Sequence, residues 1–194
     1  MKTAAVFLTL ISFAGSSLAQ VLPILTDQLI EPARKQSQKN YITYEVGNYR
    51  VNLIDDKNLE EFYIVSKKTG KHIYDYVESE ARAMHLKPRF FMAEGNNNLV
   101  IICMSLETTY SWGTHIFIVE DDRVAYPGFI PYGADNYNFS GLGLYSQFEQ
   151  QPDGSFIMFF QEDVKLINYE TDDLLTGSEV EFKITRDNIT RLQK

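Results

Sequence analysis

Residues 99–106, LVIICMSL, are apolar at odd and even positions alike, and that property narrows the folds open to this chain more than any other. Side chains of a strand alternate between two faces, so a strand apolar on both belongs in a sheet covered on both sides. The run opens the most apolar stretch beyond the N-terminus, residues 96–126. A second apolar run, 115–119, follows across the connection TTYSWG, and Glu120-Asp121-Asp122-Arg123 turns the chain into a third, 124–126. Three antiparallel strands in succession form a meander, and the rest of the chain is expected to be built around it.

Turn chemistry marks hairpins on either side. The clearest spans residues 41–54 around Gly47-Asn48, where Gly in the first central position suits a two-residue type II′ turn. That turn sets Val46 opposite Tyr49, Tyr44 opposite Val51 and Ile42 opposite Leu53 on an apolar face, with Glu45–Arg50 and Thr43–Asn52 pairs on a wet one. Residues 62–66 and 72–77 form a second hairpin around Lys67-Lys68-Thr69-Gly70, with Gly70 in a left-handed conformation. Residues 78–87 fit either a short helix capped by Ser79 or an extended lead into Phe90-Phe91. Gly128, Pro131 and Gly133, with no alternation around them, mark 127–140 as a long loop.

Residues 141–149 and 155–161 flank a turn at Gln151-Pro152-Asp153-Gly154, and 164–169 read as a strand. Residues 171–177 read as one helical turn closed by Gly177, and Val180, Phe182 and Ile184 alternate with Glu181 and Lys183 in a final half-buried strand. About ten short hairpin-connected strands with little helix define an all-β chain, an antiparallel β-sandwich or barrel. Propeller blades would leave self-similarity at a fixed period, and none is seen.

Residues 1–19 carry Lys2, then the apolar run AAVFLTLISFAG, then Ser17-Leu18-Ala19, the pattern of a secretory signal peptide. The expected division is therefore signal peptide 1–19, a polar N-terminal arm 20–40 carrying Pro23 and Pro32, and a single β domain 41–194. No later stretch approaches the roughly 20 apolar residues of a membrane-spanning helix, so membrane insertion is not expected. Secretion, or export to a periplasm, is. Without the leader the chain holds 17 Lys plus Arg against 26 Asp plus Glu, a net charge of about −9. Such a charge disfavours nucleic acid and anionic membranes and steers in a basic protein or a small cationic ligand. Cys103 is the only cysteine, so no intramolecular disulfide supports the fold.

No catalytic motif emerges. Cys103 has one histidine near in sequence, His115. With Glu107 opposite Thr114, Cys103 faces Ile118 and shares a side with Ile101 and Ile116, while His115 points the other way with Leu106. Cys103 is thus expected to be an inert core residue. His72, His85 and His115 lack zinc-ligand spacing, and the Glu120-Asp121-Asp122, Glu162-Asp163 and Asp135-Asn136-Tyr137-Asn138 clusters lack the alternating oxygens of a calcium loop, so no metal site is expected. No glycine-rich loop leads from a strand into a helix to cradle phosphate, and no cofactor is called for. Asn138-Phe139-Ser140 and Asn188-Ile189-Thr190 match the N-glycosylation acceptor pattern.

Aromatic density in the connections is the remaining signal. Tyr110 and Trp112 lie in the connection between the two central strands, and Tyr126, Phe129, Tyr132, Tyr137, Phe139 and Tyr145 lie in or beside the long loop. Rings of this kind offer large contact area at small entropy cost. Trp112, Tyr132, Tyr137 and Phe139 are accordingly the expected ligand-binding residues of a non-catalytic binding protein, of inhibitor or immunity type. The alternative is a secreted hydrolase with its site among the same loops. The leader makes a direct prediction: intact-mass analysis of the exported protein will show a chain beginning at Gln20, and a mass that retains residues 1–19 would contradict it.

Overall fold

The computed structural model describes residues 23–28, 34–36, 41–56, 59–78, 85–107, 111–135 and 141–193. It is all-β and antiparallel throughout, as the turn spacing implies. The strands are β1 (Ile24–Gln28), β2 (Arg34–Gln36), β3 (Tyr41–Val46), β4 (Tyr49–Asp56), β5 (Leu59–Ser66), β6 (His72–Glu78), β7 (His85–Met92), β8 (Leu99–Glu107) and β9 (Ser111–Glu120). They continue with β10 (Arg123–Ile130), β11 (Tyr132–Ala134), β12 (Ser146–Gln150), β13 (Phe156–Phe160), β14 (Lys165–Asn168), β15 (Leu174–Thr176), β16 (Glu181–Ile184) and β17 (Ile189–Leu192).

Nine of them form one sheet in the order β10-β9-β8-β7-β1-β12-β13-β16-β17. Its two ends curl toward each other until β10 touches β17, and Arg186 in the β16–β17 turn pairs with Glu120 at the end of β9 across the seam. The result is a nearly closed barrel. Its interior is packed with Leu25, Phe91, Ile101, Cys103, Ile116, Ile118, Phe148, Met158, Phe182 and Ile184. A second sheet, β2-β3-β4-β5-β6, lies against the outside of the barrel wall. There Val46, Tyr49, Val51, Leu53, Phe62 and Ile64 meet Phe90, Val100, Ile102, Met104, Phe117 and Val119. A third sheet, β11-β14-β15, adds Tyr132 and Leu166 to the barrel core, beside Val164 just before β14, at the end where β9 begins.

β8 explains the arrangement. Leu99, Ile101 and Cys103 point into the barrel while Val100, Ile102 and Met104 point out into the second core, and all six are at most 1% exposed. At about 2 kcal/mol for each fully buried aliphatic side chain, neither face can be left to water. The β3–β4 hairpin has the expected register in all five named pairs, and Gly47, alone of the two turn residues, has positive φ (49°), as type II′ requires. Gly47 is needed twice over, because a Cβ there would sit 2.5 Å from Asn97 O. That turn docks on the β7–β8 turn through Asn48 N donating to Asn97 O (2.9 Å) and Tyr49 Oη donating to Asn98 O (2.7 Å). Asn52, expected on the wet side, is only 6% exposed and accepts a hydrogen bond from Thr43.

Several expectations are corrected. Residues 24–28 of the supposed arm form β1, inserted between β7 and β12, and residues 34–36 pair with β3. Leu25 is fully buried, so this segment belongs to the barrel. Residues 127–130 and 132–134 are strand, because a bulge between Ala125 and Gly128 absorbs Pro127 and lets β10 continue to Ile130, and β11 follows after Pro131. Residues 174–176 form β15, and Gly177 opens a 3₁₀ turn where it was expected to close a helix, with Thr176 N and Oγ1 both donating to Glu179. The extended alternative holds for residues 85–87, while residues 79–84 lie outside the described part. β17 went unexpected.

The β8–β9 register places Cys103 opposite Ile116, two residues from the expected pairing with Ile118. An even shift preserves the faces, so Cys103 still lies in the barrel and His115 outside it. Cys103 is fully buried, and burial pushes its thiol well above the ordinary range. Cys103→Ala should cost on the order of 1 kcal/mol through a small cavity. Urea denaturation will measure that loss, and thiol labelling of the native protein should be slow until the chain unfolds.

Candidate functional site

Of the four expected binding residues, the structure presents one described ring to solvent. Trp112, at the start of β9, is 37% exposed, with its ring 5.7 Å from that of Tyr169. Tyr132 is 3% exposed: its hydroxyl accepts a hydrogen bond from Asn168 Nδ2 (3.2 Å) and its ring meets Phe182 edge-on at 5.4 Å. It belongs to the barrel core, because β11 turns it inward, and offers no contact surface. Tyr137 and Phe139 lie outside the described residues.

A different aromatic group assembles on the outer face of β9 and β10, opposite β6. At its centre is His115, 6% exposed, with ring centroids of Phe129 at 4.7 Å, Tyr76 at 5.2 Å and Tyr126 at 5.8 Å. The bulge in β10 creates this grouping. Ala125 pairs with Ile118 and faces the barrel, whereas beyond the bulge Gly128 pairs with Ile116 and Phe129 with His115. Tyr126 and Phe129, three residues apart, therefore stand on the same face, which regular alternation forbids. In an unbulged strand Phe129 would turn into the barrel and Ile130 out of it.

Each exposed ring is held in place. Tyr126 stacks on Phe117 at 4.9 Å and 23°, and its hydroxyl lies 2.7 Å from His115 Nδ1. The Tyr76 hydroxyl lies 3.3 and 3.2 Å from the two imidazole nitrogens. Both phenol hydroxyls are thus within hydrogen-bond distance of the imidazole, with Tyr126 the nearer to Nδ1. Phe129 lies across Gly113: a Cβ at that glycine would be 2.1 Å from Phe129 Cζ, and its φ of 153° suits glycine in any case. Burial, and then the proximity of Tyr126, pushes the Tyr74 phenol above its ordinary value, so it is a neutral hydroxyl at physiological pH. Tyr126 is 39% exposed and Phe129 37%, so the two present half-exposed rings on this face, while Trp112 stands apart from them against Tyr169.

Beside this face an open groove of about 800 Å³ runs between β10 and the β16–β17 turn, lined by Tyr126, Arg123, Asp121, Asp187 and the Glu120–Arg186 pair. Its volume lies within the range of small-molecule sites, while its walls are mainly charged.

Other polar groups brace the barrel. Glu107, 3% exposed, accepts a hydrogen bond from Gly141 N (3.1 Å) and pairs with Lys87. Asp27 pairs with Arg89 at 2.8 Å, and burial pushes its carboxyl above the usual range against the pull of that guanidinium. Cys103 and His115 face opposite sides of the sheet, so no thiol–imidazole pair can form. Among the described residues no three His, Cys, Asp or Glu side chains are grouped to hold a metal.

The signal for the His115 group was present but unread. Pro127-Gly128 inside an otherwise strand-like run marks a bulge, and a bulge reverses the inside–outside order of everything after it. Comparison with known proteins adds no family: no family model, curated protein or solved structure matches this chain.

The close contact at Gly113 generates a prediction. Gly113→Ala should destabilise the protein by about 2 kcal/mol or more, since the methyl must displace Phe129 or Ile130 O from a backbone angle that disfavours alanine. Chemical denaturation will read the loss. A variant as stable as the parent would show that Phe129 is not held as described.

Proposed function

We propose that this chain is an exported, non-catalytic binding protein that takes a basic protein or a small cationic ligand through exposed aromatic rings, Tyr126 and Phe129 over His115 and Trp112 at the start of β9. The observation that supports this reading best is the fixing of half-exposed rings over His115 and Gly113. Rings already immobilised lose little entropy on binding, and aromatic anchors of this kind dominate many interfaces. The formal charge of −8 favours cationic partners, and the faces of Trp and Tyr attract ammonium and guanidinium groups directly. A secreted or periplasmic location follows from the leader-like first 19 residues. Among routes to the hydrolase alternative, one through a cysteine nucleophile is not supported, because Cys103 is sealed in the barrel.

Trp112 is the only tryptophan, so its fluorescence reports on the exposed ring at the start of β9. Titration with an arginine-rich peptide should change that fluorescence, and a matched glutamate-rich peptide should not. Calorimetry on Trp112→Ala and Phe129→Ala should show Kd weakened by about five-fold or more for at least one of them, a loss on the order of 1 kcal/mol. Added salt should weaken binding further, as charge steering requires. If both variants bind like the parent, the rings are packing elements and the reading fails.

A further inference from the structure

We propose that Asn188 is an acceptor for N-linked glycosylation, with a polyprenyl-diphosphate-linked oligosaccharide as the donor. This goes beyond the binding role and rests on the reading that residues 1–19 direct export. The triplet Asn188-Ile189-Thr190 has the required hydroxyl residue two places on and no proline between. Such triplets are common by chance, and most are unsuited for want of access. Here the access is built in.

Asn188 closes the turn between β16 and β17 and immediately precedes Ile189, the first residue of β17. Its backbone is engaged on both sides: the Asn188 N–H donates to Thr185 Oγ1 (3.1 Å), and its carbonyl accepts from Thr185 N (2.9 Å). Both Asn188 and Thr190 are exposed, while Ile189 between them packs against the barrel core. Strand alternation explains the split, since neighbours once removed share a face. Asn188 Nδ2 donates a hydrogen bond to Thr190 Oγ1 at 3.3 Å, which brings the nitrogen that must react and the hydroxyl that defines the motif together on the solvent side.

An amide nitrogen is a poor nucleophile because its lone pair is delocalised into the carbonyl, so the activation must come from the transferase that binds the exposed Asn188 and Thr190 side chains. In the transfer, Asn188 Nδ2 forms a bond to the anomeric carbon of the donor sugar. The bond from that carbon to the diphosphate oxygen breaks, its electron pair leaves with the polyprenyl diphosphate, and the displaced amide proton passes to a base of the transferase. The product amide stays neutral, so no charge is added. A glycan at this turn would stand beside Arg186 and Asp187 of the groove and at the β17 edge of the nine-stranded sheet, where a bulky hydrated group opposes edge-to-edge pairing with a second copy.

The test is to express the full chain with its own first 19 residues in a eukaryotic secretory host and to treat the recovered protein with peptide N-glycosidase in heavy-oxygen water. The expected result is a loss of mass on treatment and an oxygen-18-labelled aspartate at position 188 in the peptide map. Asn188→Gln and Thr190→Ala should abolish the label at that position, and Thr190→Ser, which keeps the hydroxyl, should retain it. Mapping by peptide separates this site from the second triplet at Asn138. Exported chain that begins at Gln20 with Asn188 unmodified overturns the proposal alone. Chain held in the cytosol with residues 1–19 intact overturns the export reading and the proposal with it.

Discussion

β8 is buried from both sides, and the two cores of the protein share it as a common wall. Leu99, Ile101 and Cys103 fill the barrel; Val100, Ile102 and Met104 fill the space beneath the second sheet. Each core therefore depends on the other being formed, because a barrel without the outer sheet would expose three aliphatic side chains of β8 together with Phe90, Phe117 and Val119. The outer sheet is further tied down at one corner, where the Gly47-Asn48 turn and Tyr49 bond to the backbone of Asn97 and Asn98. Cooperative folding of both layers follows from this sharing.

What local chemistry decides was legible before any coordinates. The β3–β4 register depends on two turn residues and on alternation, both contained within 14 consecutive positions, and every named pair was found. The faces of β8 and β9 were legible for the same reason, although their register was displaced by two. Non-local pairing was hidden. β1 is a five-residue strand whose partners, β7 and β12, lie about 60 and 120 residues further along, and nothing within Ile24–Gln28 announces them. The burial of Tyr132 was hidden for a related reason: whether a tyrosine near a glycine caps a surface or enters a core depends on a strand, β14, that starts at Lys165.

An open seam is a hazard for a sheet protein, since unpaired backbone groups along β10 and β17 can template pairing with another chain. Two features oppose it. Arg186 and Glu120 hold the two edges near each other, and β10 carries Pro127, which has no N–H to offer, within a bulge that breaks the regular ladder.

The same bulge makes the aromatic face. Protection of the edge and exposure of Phe129 are two outcomes of one irregularity, because the extra residue that spoils the ladder also reverses the phase of the strand beyond it. Phe129 then needs somewhere to lie, and Gly113, lacking a Cβ, is the only kind of residue that leaves room for its ring at 2.1 Å from where a methyl would be. His115 completes the set by filling the gap between Tyr76, Tyr126 and Phe129 with a ring that bonds to a hydroxyl at the surface. A glycine, a proline and a histidine, each unfavourable in a regular strand or a dry core, thus fit one another, and replacing any one of them removes the reason for the other two.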